Sequence, residues 1–163
     1  KANVNHQVKF KQMDCEKLNF PDDTFDIIID GGTFPSLNLD KALGELARVL
    51  KPDGTLIGIE TLGHNPLTNL NRLFNKKTGK RTEWAVGHIF QMKDLKLAKE
   101  YFNEVDAKFF HVKSYAAFPF ANKPGGKALL KFLQTLEVPF TNFPFIRRYC
   151  FKIVFVFKKP RAN

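Results

Sequence analysis

The order of apolar and polar residues predicts a chain in which short strands and amphipathic helices alternate. Val8–Met13 alternates apolar and polar side chains, which is typical of a half-buried strand, and Phe25–Asp30 is a β-branched run typical of a buried one. From Leu39 to Leu50 the apolar residues recur at helical spacing. The turn sequence of residues 51–54, Lys-Pro-Asp-Gly, ends this helix, and Thr55–Glu60 is the next predicted strand.

The second half of the chain predicts two more helices and two more strands. They follow in the order helix 94–105, strand 109–116, helix 127–136 and strand 149–157. Asp94 is the candidate cap of the first of these helices. Alternating strands and helices of this kind indicate an α/β fold built on a largely parallel sheet.

The composition is that of one globular domain, with 44% hydrophobic and 26% charged residues in 163. No apolar run approaches the roughly 18–20 residues that a membrane-spanning helix needs. The two cysteines, Cys15 and Cys150, lie far apart in the sequence, which argues against a disulfide-stapled secreted domain. We therefore expect a single domain over residues 1–163 in the cytoplasm.

The net charge of +10 is concentrated in the last third of the chain. Residues 108–163 hold 11 basic side chains, the single acid Glu137 and 11 of the 18 phenylalanines, whereas residues 1–107 are electrically balanced. This pattern fits either a solvated basic face over an aromatic core or a surface that contacts an anionic partner. The proline-broken, Phe-rich segment around 118–148 makes peripheral contact with an anionic membrane the second expectation. Nucleic acid is less favoured, because many of these phenylalanines follow strand and helix patterns.

Polar and small residues follow three of the predicted strands. They are Asp14 and Cys15 after the first strand, Asp30, Gly31 and Gly32 after the second, and Glu60 with its successors after the third. If the strands are parallel, their carboxyl ends meet at one edge of the sheet, where open α/β folds bind ligands. This edge is the candidate functional site.

Two long stretches carry a resemblance to a known family. Asp14-Cys-Glu-Lys-Leu-Asn-Phe-Pro-Asp-Asp-Thr-Phe-Asp26 is followed by a strand, by Ala42-Leu-Gly-Glu-Leu-Ala-Arg-Val-Leu-Lys-Pro-Asp-Gly54 and by a second strand. This ordered series closely resembles the class I S-adenosylmethionine-dependent methyltransferases. The resemblance is strong over residues 7–62 and looser beyond them.

The resemblance implies S-adenosylmethionine as cofactor and assigns it five residues. Asp14 matches the acid that reads the adenine amino group, and Cys15 the residue whose backbone N–H approaches an adenine ring nitrogen. Asp30, Gly31 and Gly32 match the loop beside the methionine part and the methyl group. The implied activity is methyl transfer, by in-line attack on the sulfonium methyl, to a small-molecule, lipid or saccharide acceptor that the sequence does not name.

The sequence departs from the family pattern at the family's first two strands. Their glycine-rich loop, G-x-G-x-G, and the acid that binds the ribose have no counterpart in the 163 residues. The resemblance therefore implies a Rossmann-like class I methyltransferase sheet lacking its first two strands, with an antiparallel last strand. We expect a truncated methyltransferase domain in which the predicted strand Phe25–Asp30 has an exposed hydrophobic edge. The alternatives are a non-catalytic remnant and a basic binding module for anionic surfaces or nucleic acid.

An insertion around residues 61–92 is expected on the acceptor side of the site. His64 and His88 are the candidate catalytic bases, because a hydroxyl acceptor needs its proton removed. His64 is the favoured one, because it follows Glu60 closely at the end of the predicted strand. Glu60 or Glu83 is expected to orient the imidazole, and Arg72 or Arg81 to hold an anionic acceptor. Asn65 completes the acceptor-side candidates. No metal site is expected, and the oligomeric state stays open.

Overall fold

The computed structural model describes residues 9–66, 68, 69, 88–112, 114, 117, 120, 122–137 and 143–161. Its elements, in chain order, are β1 (Phe25–Asp30), a 3-10 turn (Phe34–Ser36), α1 (Leu39–Val49), β2 (Leu50–Thr61), α2 (Met92–Tyr101), β3 (Phe102–Phe110), α3 (Gly126–Glu137), the one-turn helix α4 (Pro144–Arg147) and β4 (Lys152–Pro160). Together they form an α/β fold, as the sequence predicts.

The four described strands form one sheet in the order β1-β2-β4-β3. β1 and β2 are parallel, with Ile28 opposite Leu56, while β4 runs antiparallel to both of its neighbours. This arrangement confirms the predicted Rossmann-like sheet with an antiparallel last strand. It also brings the carboxyl ends of β1 and β2 to the same edge of the sheet.

One face of the sheet carries the hydrophobic core. Alternate residues of β2 and β4 point to this face, and α1 and α2 supply buried side chains to the same core. The buried core residues from these four elements include Leu43, Leu46, Leu56, Leu95, Ala98, Ile153, Phe155 and Phe157. The helical spacing of the α1 residues explains why its apolar side faces the sheet and its charged side faces solvent.

The opposite face and the β1 edge carry exposed apolar side chains. Ile27 and Ile29 expose 60% and 75% of their surface, and Ile59 of β2 exposes 47%. β1 is the terminal strand of the described sheet, so the predicted exposed hydrophobic edge is confirmed. Within the described residues, the helices are too short or too polar to cross a membrane.

Two strand predictions need correction. Residues 9–13 form no strand, and the physical reason is that no described strand lies beside them to complete a ladder. The predicted helix 94–105 ends at Tyr101, and β3 begins at Phe102, earlier than the predicted strand 109–116. The local pattern of this segment fits a helix and a strand equally well. Pairing with β4 decides between them, so that Phe102 and Val105 belong to β3 and do not continue the helix.

The start of α2 also differs from its prediction. Gln91 is the N-cap, and Asp94 stands three residues into the helix, where its Oδ2 accepts the Gln91 backbone N–H at 2.7 Å. The capping-box arrangement satisfies backbone donors that would otherwise lack partners. The smaller differences are that β2 begins at Leu50, that α3 extends one residue at each end, and that β4 spans Lys152–Pro160 instead of 149–157.

Candidate functional site

The loop after β1 is held by the carboxylate of Asp30. Oδ2 accepts the Gly32 backbone N–H at 3.2 Å, and Oδ1 accepts the Thr33 N–H at 3.1 Å and the Thr33 hydroxyl. Gly32 has a φ of 99°, a conformation that suits glycine. A side chain built at Gly31 would meet nothing within 4 Å, so this part of the loop faces open space. The loop is thus fixed by hydrogen bonds to Asp30 and leaves open space for a ligand beside Gly31.

Glu60, near the end of β2, supports the same loop from inside the protein. Only 2% of its surface is exposed, and its Oε1 accepts the backbone N–H of Phe34 at 3.1 Å. Burial, together with the neighbouring charge of Asp30, raises the pKa of Glu60 from 4.5 to about 7. Glu60 is expected on the acceptor side from sequence. In the structure it braces the loop and not the imidazole of His64.

We expect Glu60 to make the stability of the protein depend on pH. Because the folded state keeps the proton up to a higher pH than the unfolded state, the free energy of unfolding should fall as pH rises from about 4.5 to 7, by at most about 3 kcal/mol. Glu60→Gln should remove this decline. Urea unfolding across that pH range measures it, with the exposed Glu100→Gln as control. Parallel pH curves for Glu60→Gln and the wild type would contradict the assignment.

The Asp14–Leu18 segment is held by hydrogen bonds to α1 and its N-cap, although residues 9–13 just before it form no strand. Glu16 Oε1 accepts the Asn38 N–H at 2.7 Å, and Glu45 Oε2 accepts the Leu18 N–H at 2.7 Å. Asp14 Oδ1 accepts the Glu16 N–H, which shapes the turn. Side chains of this segment and of α1 therefore replace a β-ladder as its anchor.

The thiol of Cys15 is half-buried and lies within electrostatic reach of two carboxylates. Burial raises the pKa of the Cys15 thiol, and the charges of Asp14 and Asp30 raise it further. A thiol held in its neutral form is a poor nucleophile, so nothing in this environment favours a reaction at the Cys15 sulfur.

His64 is built into the protein in a way that disfavours its role as a base. Its Nε2 accepts the backbone N–H of Met92 at 3.3 Å. Burial lowers its pKa, with a further contribution from Arg148 that outweighs the opposing charge of Asp94. In a neutral imidazole with Nε2 as acceptor, Nδ1 carries the proton, so the basic lone pair is already used. His64 joins the loop after β2 to the start of α2.

His88 is exposed and lines a cavity of about 80 Å³ beside the β1 loop. Most of the lining is apolar, and Phe34 belongs to it together with Leu37, Leu39, Ile89 and Phe90. Lys93 and Asp94 supply charge at the same cavity. Because Phe34 also donates its N–H to Glu60, the cavity and the loop share a wall. His88 is therefore the better placed of the two candidate bases.

The remaining acceptor-side candidates fall into two groups. Asn65 is buried, and its Nδ2 donates to the Tyr149 carbonyl at 2.7 Å while its Oδ1 accepts the Thr68 N–H at 3.3 Å. It joins distant parts of the chain, which corrects the expectation that it faces an acceptor. Arg72, Arg81 and Glu83 lie outside the described residues.

Sequence reasoning missed the hydrogen bond between Glu60 and Phe34. A signal for it exists, because Leu56, Gly58 and Glu60 share the buried face of β2, and a carboxylate in such a position needs a partner. The identity of the partner, 26 residues away, follows only from the fold.

Comparison with known proteins adds three findings. Residues 1–58 match the sequence model of the methyltransferase domain family. The chain is 48% identical over 54 residues to the ubiquinone/menaquinone biosynthesis C-methyltransferase UbiE of Methylococcus capsulatus, covering 32% of this chain and 22% of the relative. It is 33% identical over 85 residues to the sterol 4-C-methyltransferase strm-1 of Caenorhabditis elegans, covering 52% and 25%. The matched part thus spans about a quarter or less of these relatives' length.

The fold is similar to that of solved methyltransferases. The structure of phosphoethanolamine N-methyltransferase 2 of Haemonchus contortus with S-adenosyl-L-methionine superposes with a TM-score of 0.54. The match is 13% identical and covers 91% of this chain and 36% of that protein. At this identity the likeness concerns the fold.

Proposed function

We propose that this chain, whose residues 1–58 match the methyltransferase domain family, is part of a class I S-adenosylmethionine-dependent methyltransferase and takes part in methyl transfer to a small-molecule or lipid acceptor at the carboxyl ends of β1 and β2. The observation that carries this proposal is that the Asp14–Leu18 segment is hydrogen-bonded to the N-cap of α1, which follows the loop that Asp30 holds at that edge. Open α/β folds bind their ligands at this position.

The residues at the edge fit the cofactor chemically. The exposed Asp14 carboxylate suits an exocyclic amino group, because its oxygens can accept a hydrogen bond from the amino N–H. Gly31 leaves open space for a ligand, while Asp30 fixes the loop on which it stands. The cofactor, when bound, supplies a methyl group made electrophilic by its sulfonium. Cofactor binding is thus assigned to Asp14, Cys15, Asp30, Gly31 and Gly32.

The acceptor side of the proposal uses the cavity at His88. About 80 Å³ admits only a small part of an acceptor, and the apolar walls formed by Phe34 and Phe90 favour an apolar part. The exposed imidazole of His88 would remove a proton from a hydroxyl or an acidic carbon held there. Relatives named for C-methylation make a carbon acceptor one of the choices.

Part of cofactor recognition is assigned to a segment outside these 163 residues. The glycine-rich first loop and the ribose-binding acid have no counterpart in the sequence. The exposed Ile27 and Ile29 on the β1 edge support the same idea, because additional strands and helices would cover them. We therefore propose that these 163 residues bind the cofactor weakly when they are alone.

Asp14→Ala is expected to weaken cofactor binding by about 1–3 kcal/mol, because it removes the hydrogen bond from the adenine amino group to a charged carboxylate. Asp14→Asn should lose less, because its amide oxygen still accepts. Titration calorimetry with S-adenosylhomocysteine measures both variants. The control is Asp53→Ala, an exposed acid near the amino end of β2. Unchanged affinity in Asp14→Ala would show that this strand end is not the adenine site.

The rival proposal is a basic binding module without catalysis. It predicts no measurable affinity for S-adenosylhomocysteine in any variant, together with salt-sensitive binding to an anionic polymer.

A further inference from the structure

Helix α3 presents an apolar stripe to solvent. Leu129, Phe132 and Leu136 follow one another at spacings of three and four, so they lie on one side of the helix. Phe132 exposes 61% of its surface, and the two leucines expose 43% and 46%. No described residue covers this stripe. An exposed stripe of large apolar side chains on a helix indicates a contact surface.

The polar side of the same helix is cationic. Lys127 and Lys131 are exposed and stand four residues apart, on the side away from the stripe. Apolar residues on one side of a helix and lysines on another are the arrangement of helices that lie in a membrane interface. Leu130 and Leu133 are partly buried, which leaves the stripe directed outward.

A second segment repeats this combination of exposed rings and cations. Phe143 and Phe145 expose 49% and 67% of their surface, with ring centroids 5.9 Å apart. Arg148 follows, exposed and 5.1 Å from the ring centroid of Tyr149. Across residues 108–163 the sequence holds 11 basic side chains against Glu137 alone, so the charge complements an anionic surface.

We propose that α3 is a membrane-docking element: the stripe of Leu129, Phe132 and Leu136 enters the interface of a bilayer rich in anionic lipid while the lysines meet the headgroups. Docking itself does not depend on the proposed function. Its benefit does, since docking would give the methyl-transfer site access to a lipid acceptor. A bilayer is favoured over nucleic acid because two of the three stripe residues are leucines, whose side chains enter a bilayer interface but cannot stack on bases.

The test is co-sedimentation of the full chain with vesicles of phosphatidylcholine alone and of phosphatidylcholine mixed with phosphatidylserine. We expect binding to the mixed vesicles that weakens with salt, and little binding to the neutral ones. The double variant Phe132→Ser with Leu136→Ser should lose at least tenfold in vesicle affinity, and Lys127→Glu with Lys131→Glu should lose the preference for anionic lipid. Ile29→Ser is the matched control, because it removes an even more exposed apolar side chain from the β1 edge.

Three outcomes would overturn the inference. They are equal absence of binding to both vesicles, equal loss in Ile29→Ser and in the α3 double variant, and binding to single-stranded RNA that the α3 substitutions weaken in place of vesicle binding. Circular dichroism of each variant shows whether it remains folded, and Phe145→Ser gives a second variant outside α3. Cofactor titration of the α3 double variant separates the two proposals, since it should bind S-adenosylhomocysteine like the wild type.

Discussion

Gly58→Ala should lower the free energy of unfolding by about 3 kcal/mol, because there is no space for even one methyl group. Gly58 pairs with Phe155 across the β2–β4 ladder, and a Cβ at this position would overlap the Phe155 ring. That ring stacks on Phe34, Phe90 and Phe157, with centroid separations of 5.5, 5.2 and 4.4 Å. Movement of Phe155 would therefore also displace Phe34 and Phe90, which line the cavity beside His88.

Urea unfolding of Gly58→Ala measures this loss. Gly31→Ala is the matched control, because nothing lies within 4 Å of its added methyl group and its stability should stay close to that of the wild type. Phe155→Leu should itself be destabilising, yet the added cost of Gly58→Ala should shrink in that background, since the smaller side chain leaves room. Equal losses for the two glycine variants would contradict the packing described for this ladder.

His88→Ala should reduce the rate of methyl transfer to a hydroxyl acceptor by about 10²–10⁴-fold while leaving cofactor affinity unchanged, because it removes the proposed base. His64→Gln should have a much smaller effect, since the Nε2 of His64 accepts the Met92 N–H and an amide oxygen can replace it. The measurement is transfer of labelled methyl groups from S-adenosylmethionine to extracted small molecules and lipids. A large loss in His64→Gln with none in His88→Ala would reverse the assignment.

The sequence predicted those elements whose pattern is distinctive over a whole segment. The apolar spacing of α1 and the β-branched run of β1 each fit a single kind of element, and the structure agrees with both. The segment from Phe102 to Phe110 was assigned wrongly at its start, because its residues fit two periodicities and the pairing with β4 decides between them. Residues 9–13 carry a strand pattern but have no partner among the described strands, and a strand without a partner forms no ladder.

For the candidate site, too, local sequence patterns predicted some features, and contacts between distant residues decided the others. Asp14 and Asp30 are predicted to share an edge because parallel strands align their carboxyl ends. In the structure Glu16 accepts the N–H of Asn38, the N-cap of α1, which ties the Asp14–Leu18 segment to the part of the chain that follows the Asp30 loop, and the cofactor role of both acids stays a prediction. The role of Glu60 could not be predicted, because its partner Phe34 comes close only when the β1 loop folds over the end of β2. His64 was favoured for its distance in sequence from Glu60, whereas its contact with Met92 depends on where α2 begins.

The central claim is that the edge formed by the Asp14–Cys15 turn and the Gly31–Gly32 loop binds the cofactor. A titration of the ¹⁵N-labelled chain with S-adenosylhomocysteine, followed by amide chemical shifts, tests it even at millimolar affinity. The account predicts shifts at the amides of Cys15, Gly31 and Gly32 that depend on Asp14, and none at Asp53 or Gly54 near the other end of β2. Shifts confined to that other end, or no shifts at millimolar ligand, would contradict it.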